Sequence, residues 1–77
     1  MRGEDLSPIQ TLVLAYMSRG WRAVEIARKR EVRTDGIEKI LSEARQRLQA
    51  RTTAQAVATA YERGMLPIDV DLEVKSR

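Results

Sequence analysis

The sequence predicts an all-α domain of four helices, followed by a short C-terminal extended arm that is a candidate β-strand. Three observations predict it. Apolar residues recur at steps of three and four along most of the chain. Helix-starting and helix-stopping residues (Ser7-Pro8, Gly20, Thr52-x-x-Gln55, Gly64) cut that pattern into separate pieces. From Ile68 onward the period changes to two, with Ile68, Val70, Leu72 and Val74 alternating with Asp69, Asp71, Glu73 and Lys75. The helical domain is expected over residues 1–66 and the arm over 67–77.

Residues 1–5 read as a frayed terminus. Ser7 is a good N-cap, Pro8 suits the first helical position, and Leu6 can pack back onto the helix. This first helix should run to about Arg19, burying Ile9, Leu12, Val13, Tyr16 and Met17, with Gly20 as its left-handed stop. We expect the Trp21 ring to cover the core between two helices. A Trp facing DNA or a partner is the alternative. The second helix, about Ala23 to Arg30, begins without a side-chain acceptor at Arg22 or Ala23, and Glu25 can pair with Arg28 and Lys29. Val24 and Ala27 should point inward, and Val32 should plug the following turn.

The third helix is expected from near Thr34 to near Gln49, capped by Thr34 or Asp35. Ile37, Ile40, Leu41, Ala44 and Leu48 form its apolar stripe. Gly36 weakens its first turn but permits a close backbone approach. The fourth helix starts at Thr52 and stops at Gly64. Its alanines (Ala54, Ala56, Ala58, Ala60) let it sit close to a neighbour, either this domain's core or another copy.

Seventy-seven residues allow one small domain, in the size range where a single core is marginal. With 43% hydrophobic and 32% charged residues, the composition is that of a folded chain. One Trp, two Tyr and no Phe make the core aliphatic. The chain has no Cys and no His, which excludes disulfides, the usual zinc sets and every Cys- or His-based nucleophile pair. No metal site, cofactor or small-molecule ligand is expected. No apolar run could span a bilayer and no signal peptide is visible, so a cytoplasmic protein is expected.

Net charge is +3, but its distribution carries more information. Arg19, Arg22, Arg28, Lys29, Arg30 and Arg33 face only Glu25 and Glu31 between residues 19 and 33. Such a patch fits polyanion binding or a bland solvated face. A short helix, a turn and a longer helix with polar residues outward is also the layout that places a helix in a DNA major groove.

These residues carry a resemblance. LSPIQTLVLAYMSRGWRAVEIARKREV, GIEKILSEARQRL and TTAQAVATAYERGML together resemble the LuxR/GerE-type helix-turn-helix domain, without gaps, from Leu6 to Leu66. The closest pieces are Leu6-Ser7-Pro8, Val13-Leu14, Gly20, Glu25-Ile26-Ala27, Val32, Ile37, Leu48 and Ala56-Val57, mostly framework positions. The resemblance implies a third helix in the major groove and a fourth helix that mediates dimerisation through Ala54, Val57, Ala58 and Tyr61. It is to free-standing members, so regulation is expected to come from amount or from a partner. The departures lie at contact positions. Where the family has Thr-Val-Lys-x-His, this chain has Gly36-Ile37-Glu38-Lys39-Ile40, and Thr53 replaces an Arg before the fourth helix. Arg22-Ala23 replaces the polar pair that opens the second helix.

The expected function is that of a small, dimeric, sequence-specific DNA-binding regulator of transcription, and not an enzyme. Arg33, Lys39 and Ser42 would face double-stranded DNA, with Arg22, Arg28, Lys29, Arg45 and Arg47 as phosphate contacts. Glu38 and Glu43 would oppose phosphates, or accept a hydrogen bond from cytosine N4. The alternative is an interaction module, an anti-activator that kept the fold and lost DNA binding; its partner would be a related helix-turn-helix protein. As enzyme carboxylates, Glu38 and Glu43 are five positions apart on one exposed helix and do not face each other across a cleft. Ile68, Val70 and Leu72 of the arm are expected to pair with another chain, since the arm has no partner strand within the domain. An arm laid over the fourth helix, or left disordered, is the other reading.

Overall fold

Ser7 starts the first helix as a reciprocal cap. Its Oγ accepts from the Gln10 N–H at 3.2 Å while the Gln10 side-chain oxygen accepts from the Ser7 N–H at 3.0 Å. Gln10 is buried, and the exchange satisfies its side-chain oxygen. Helix α1 spans Pro8–Ser18, α2 Ala23–Arg30, α3 Thr34–Leu48 and α4 Thr53–Glu62. The structure is a computed structural model that describes residues 6–66. The N-terminal residues 1–5 and the arm at 67–77, with Ile68, Val70 and Leu72, lie outside the described residues.

All four helices close with the same device. The N–H two residues beyond the C-cap, or one beyond an αL residue, returns to a carbonyl five positions back: Trp21 to Tyr16, Val32 to Ala27, Ala50 to Arg45 and Met65 to Ala60. The device needs one left-handed residue. Gly20 (φ 93°) and Gly64 (φ 69°) supply it at α1 and α4, as expected. Glu31 (φ 59°) and Gln49 (φ 55°) supply it at α2 and α3, where no glycine marks the position.

The helix starts differ in detail from the expectations. Glu25 Oε1 accepts the Arg22 N–H at 2.9 Å, so the start of α2 is half of a capping box; Arg22 has no side-chain acceptor to complete the other half. Arg33, and not Thr34 or Asp35, is the N-cap of α3, because Thr34 already has helical geometry. Thr52 caps α4 through a 3.0 Å bond from the Gln55 N–H, but the Gln55 side chain reaches one residue further back, to the Arg51 N–H at 2.8 Å.

Helix α3 is the centre of the packing: it touches α1, α2 and α4, and α1 also touches α2 and α4. Between them Val13, Leu14, Ile26, Ile37, Leu41, Ala44, Leu48, Ala56 and Ala60 form an aliphatic core. The Trp21 ring closes one side of it, meeting Tyr16 edge-on with ring centres 5.0 Å apart. The chain is thus a compact all-α domain of four helices, with no strand among the described residues. No helix among them is long and apolar enough to cross a membrane.

Three residues placed inward by the periodicity are outside. Ile9 is 37% exposed, Val24 42% and Val32 52%. Ile9 lies in the first turn of α1 beside exposed Pro8, and Leu12 and Met17 are only partly buried. The middle of α1 instead buries four consecutive residues, Val13 to Tyr16, since three helices pack round it. In α2 the inward residues are Ile26 and Ala27; Val24, two positions before Ile26, is turned about 200° away from it. Val32 contributes its N–H to the close of α2 and leaves its side chain half in solvent. Ile40 is partly buried at the rim.

Gly36 does not mark a close approach within the chain, because a Cβ there would meet nothing within 4 Å. Its cost to the helix is therefore uncompensated by packing. Gly36→Ala should stabilise the domain by about 0.5–1 kcal/mol, read as a rise in the midpoint of denaturant unfolding. A fall in the midpoint would show that the alanine meets an obstacle.

Candidate nucleic-acid interface

Residues 31–33 join α2 to α3, and cationic side chains surround this joint. Arg28, Lys29 and Arg30 occupy the last turn of α2 and are exposed, as Arg33 is at the N-cap of α3. Arg22 is exposed at the other end of α2. A last turn rich in cations suits the negative end of the helix dipole. Arg33 Nε lies 3.3 Å from Asp35 Oδ1, an exposed pair that anchors the guanidinium beside the first turn of α3. Asp35 at this end also complements the positive end of the dipole.

The inner side of α3 is defined by buried Ile37, Leu41, Ala44 and Leu48. At about 100° per residue, the positions turned away from them are Asp35, Lys39, Ser42, Glu43 and Gln46, while Glu38 stands on the flank, about 90° round from the inward side. These five make one polar stripe along the helix. All are exposed except Ser42, which is half-buried. Asp35 and Gln46 were not among the candidates from sequence, although they extend the same spacing of three and four through Lys39 and Ser42. The stripe offers two carboxylates, one ammonium, one hydroxyl and one amide. That set can hydrogen-bond both donors and acceptors on base edges.

The remaining candidates flank the stripe. Arg47 is exposed on the side that Gly36 shares, and Glu38 is exposed on the opposite flank, about 180° round from Arg47. On Glu38's side, a shallow groove is lined by Ala23, Glu38, Leu41, Arg45 and Thr53. Arg45 is half-buried there, and its Nη1 donates to Thr53 Oγ1 at 2.9 Å. Thr53 thereby fixes an arginine of α3 at the start of α4. Residues 45 and 53 are eight apart across a helix end, so no local spacing pointed to this pairing.

Helix α4 divides its small residues between two faces. Ala56 and Ala60 are buried in the core, whereas Ala54 and Ala58 are exposed and Val57 is half-buried. Tyr61, at 66% exposure, stands on the outer side. Of the dimer-face candidates within the described residues, Ala54, Ala58 and Tyr61 thus lie at the surface. No group of three or more metal-binding side chains is gathered among the described residues.

Compared with family models, with curated proteins and with solved structures, the chain matches none.

Proposed function

We propose that this domain is a helix-turn-helix regulator of transcription that places α3 in the major groove of double-stranded DNA. The observation that carries the reading is the α3 stripe: a row of base-reading side chains along one helix, with Arg33 at its start and the cations of α2 beside it. Cations at the margins supply the sequence-independent attraction to phosphates, and the stripe supplies the preference for particular bases. The resemblance to LuxR/GerE-type domains supports the same docking. It also supports pairing of two copies through the outer face of α4, by Ala54, Ala58 and Tyr61. A two-fold pair would read a palindromic site, since half-site spacing mirrors the symmetry of the protein.

A second reading is favoured by the carboxylates of the stripe. Asp35 and Glu43 on it, with Glu38 at its flank, weaken attraction to a polyanion and suit a basic protein surface, as in an interaction module that has lost DNA binding.

Two alanine variants separate the contacts. Lys39→Ala should weaken binding to a selected duplex by about 1–3 kcal/mol, through loss of a base contact. Arg33→Ala should weaken binding to every duplex alike and reduce the salt slope by about 0.9. Unchanged binding of both variants in titrations would contradict this docking.

A further inference from the structure

The cations of α3 differ in what holds them. Arg33 Nε lies 3.3 Å from Asp35 Oδ1, so a carboxylate offsets its charge. Arg45 is held by a neutral group: its Nη1 donates at 2.9 Å to Thr53 Oγ1. No carboxylate pairs with Arg45 among the described residues. Its backbone is fixed too, because its carbonyl accepts the Ala50 N–H at 2.8 Å, the bond that closes α3. Thr53 is the first residue of α4, and Thr52 before it does the capping, accepting the Gln55 N–H at 3.0 Å. The Thr53 hydroxyl is thereby spared for the arginine. The half-buried Arg45 side chain lines the groove between Ala23, at the start of α2, and Thr53.

Such a hold suits a phosphate contact. A long side chain ordered in advance loses little freedom when it binds. The hydroxyl fixes the guanidinium without cancelling its charge and uses one N–H, which leaves the others for phosphate oxygens. Arg45 and Arg47 also stand on opposite flanks of α3, about 160° apart at about 100° per residue. With the outward side of the helix toward the bases, the flanks are where the two phosphate ridges of the groove lie. Resting on the DNA-binding reading, we infer that Thr53 is a positioning residue that holds Arg45 against a backbone phosphate.

The experiment is equilibrium titration of the full chain and its variants on random and selected duplexes at several salt concentrations. Thr53→Val removes the acceptor and keeps the side-chain shape, whereas Thr53→Ser keeps the acceptor. T53V should bind every duplex about three- to tenfold more weakly, the cost of ordering one long side chain on binding. T53S should bind like the wild type. Arg45→Gln removes the charge and should reduce the salt slope by about 0.9 on every duplex. T53V/R45Q should bind no more weakly than R45Q alone, because Thr53 acts only through the arginine. Circular dichroism checks that each variant keeps its helicity, and R45Q carries the slope test should T53V fold poorly. A bond that only staples α3 to α4 would lower the thermal midpoint of both variants and leave the salt slope of R45Q unchanged. That result, or T53V binding as tightly as the wild type, overturns the inference and leaves the DNA-binding reading standing. Absence of wild-type binding to any duplex removes both.

Discussion

Ile37→Ala is expected to cost about 2–5 kcal/mol, a large share of the stability of a domain of this size. Ile37 is 1% exposed and sits on α3, the helix that touches the other three. Truncating it leaves a cavity where α3 meets the rest of the core. The midpoint of thermal unfolding should fall by at least about 8 °C, since 1 kcal/mol is worth about 4–8 °C in a domain of this length. Val32→Ala is the matched control: with half its surface in water, it should change stability by less than about 0.5 kcal/mol. Equal shifts for the two variants would contradict the described core.

Glu38→Lys should alter DNA binding in the opposite sense to most substitutions at an interface. It removes a repelled carboxylate and adds a cation that neutralises a phosphate, so the log–log salt slope should steepen by about 0.9. It also restores the residue that the LuxR/GerE resemblance puts at this position. Affinity for random duplexes should rise, and discrimination among sequences should fall if Glu38 accepts from cytosine N4, since that acceptor is then gone. Should the stripe instead receive a basic protein, the same change would abolish capture of that partner. The readout is one titration series on random and selected duplexes. An unchanged slope would place Glu38 away from the DNA.

The helix starts and stops were legible wherever the chain uses residues with a strong local preference. Ser7-Pro8, Gly20, Thr52 and Gly64 each sit at the helix end they suggested. Glu31 and Gln49 adopt the same left-handed geometry as the glycines, but neither residue type advertises it. Burial was harder to read. A period of 3.6 assumes one buried face, which holds for α3 and fails for α1, where Leu14 and Ala15 are buried alongside Val13 and Tyr16. Val24 was misplaced because α2 is only eight residues long and admits more than one apolar stripe.

Part of the candidate site could be read from spacing alone. Once Ile37, Leu41, Ala44 and Leu48 are inward, Lys39, Ser42 and Glu43 must be outward, and Asp35 and Gln46 follow by the same rule. The grip of Thr53 on Arg45 could not be read, because it depends on how α4 folds back against α3. The engagement of Asp35 by Arg33 depends on Arg33 being the N-cap, one residue before the expected cap.

The central proposal, that α3 docks in the major groove, is tested most directly by equilibrium titration of the wild-type chain on random and library-selected duplexes at several salt concentrations. The account predicts binding to both at low salt, a linear fall of log affinity with log salt, and a persistent advantage for the selected duplex. No detectable binding to any duplex at low salt would contradict it and leave the face to a protein partner.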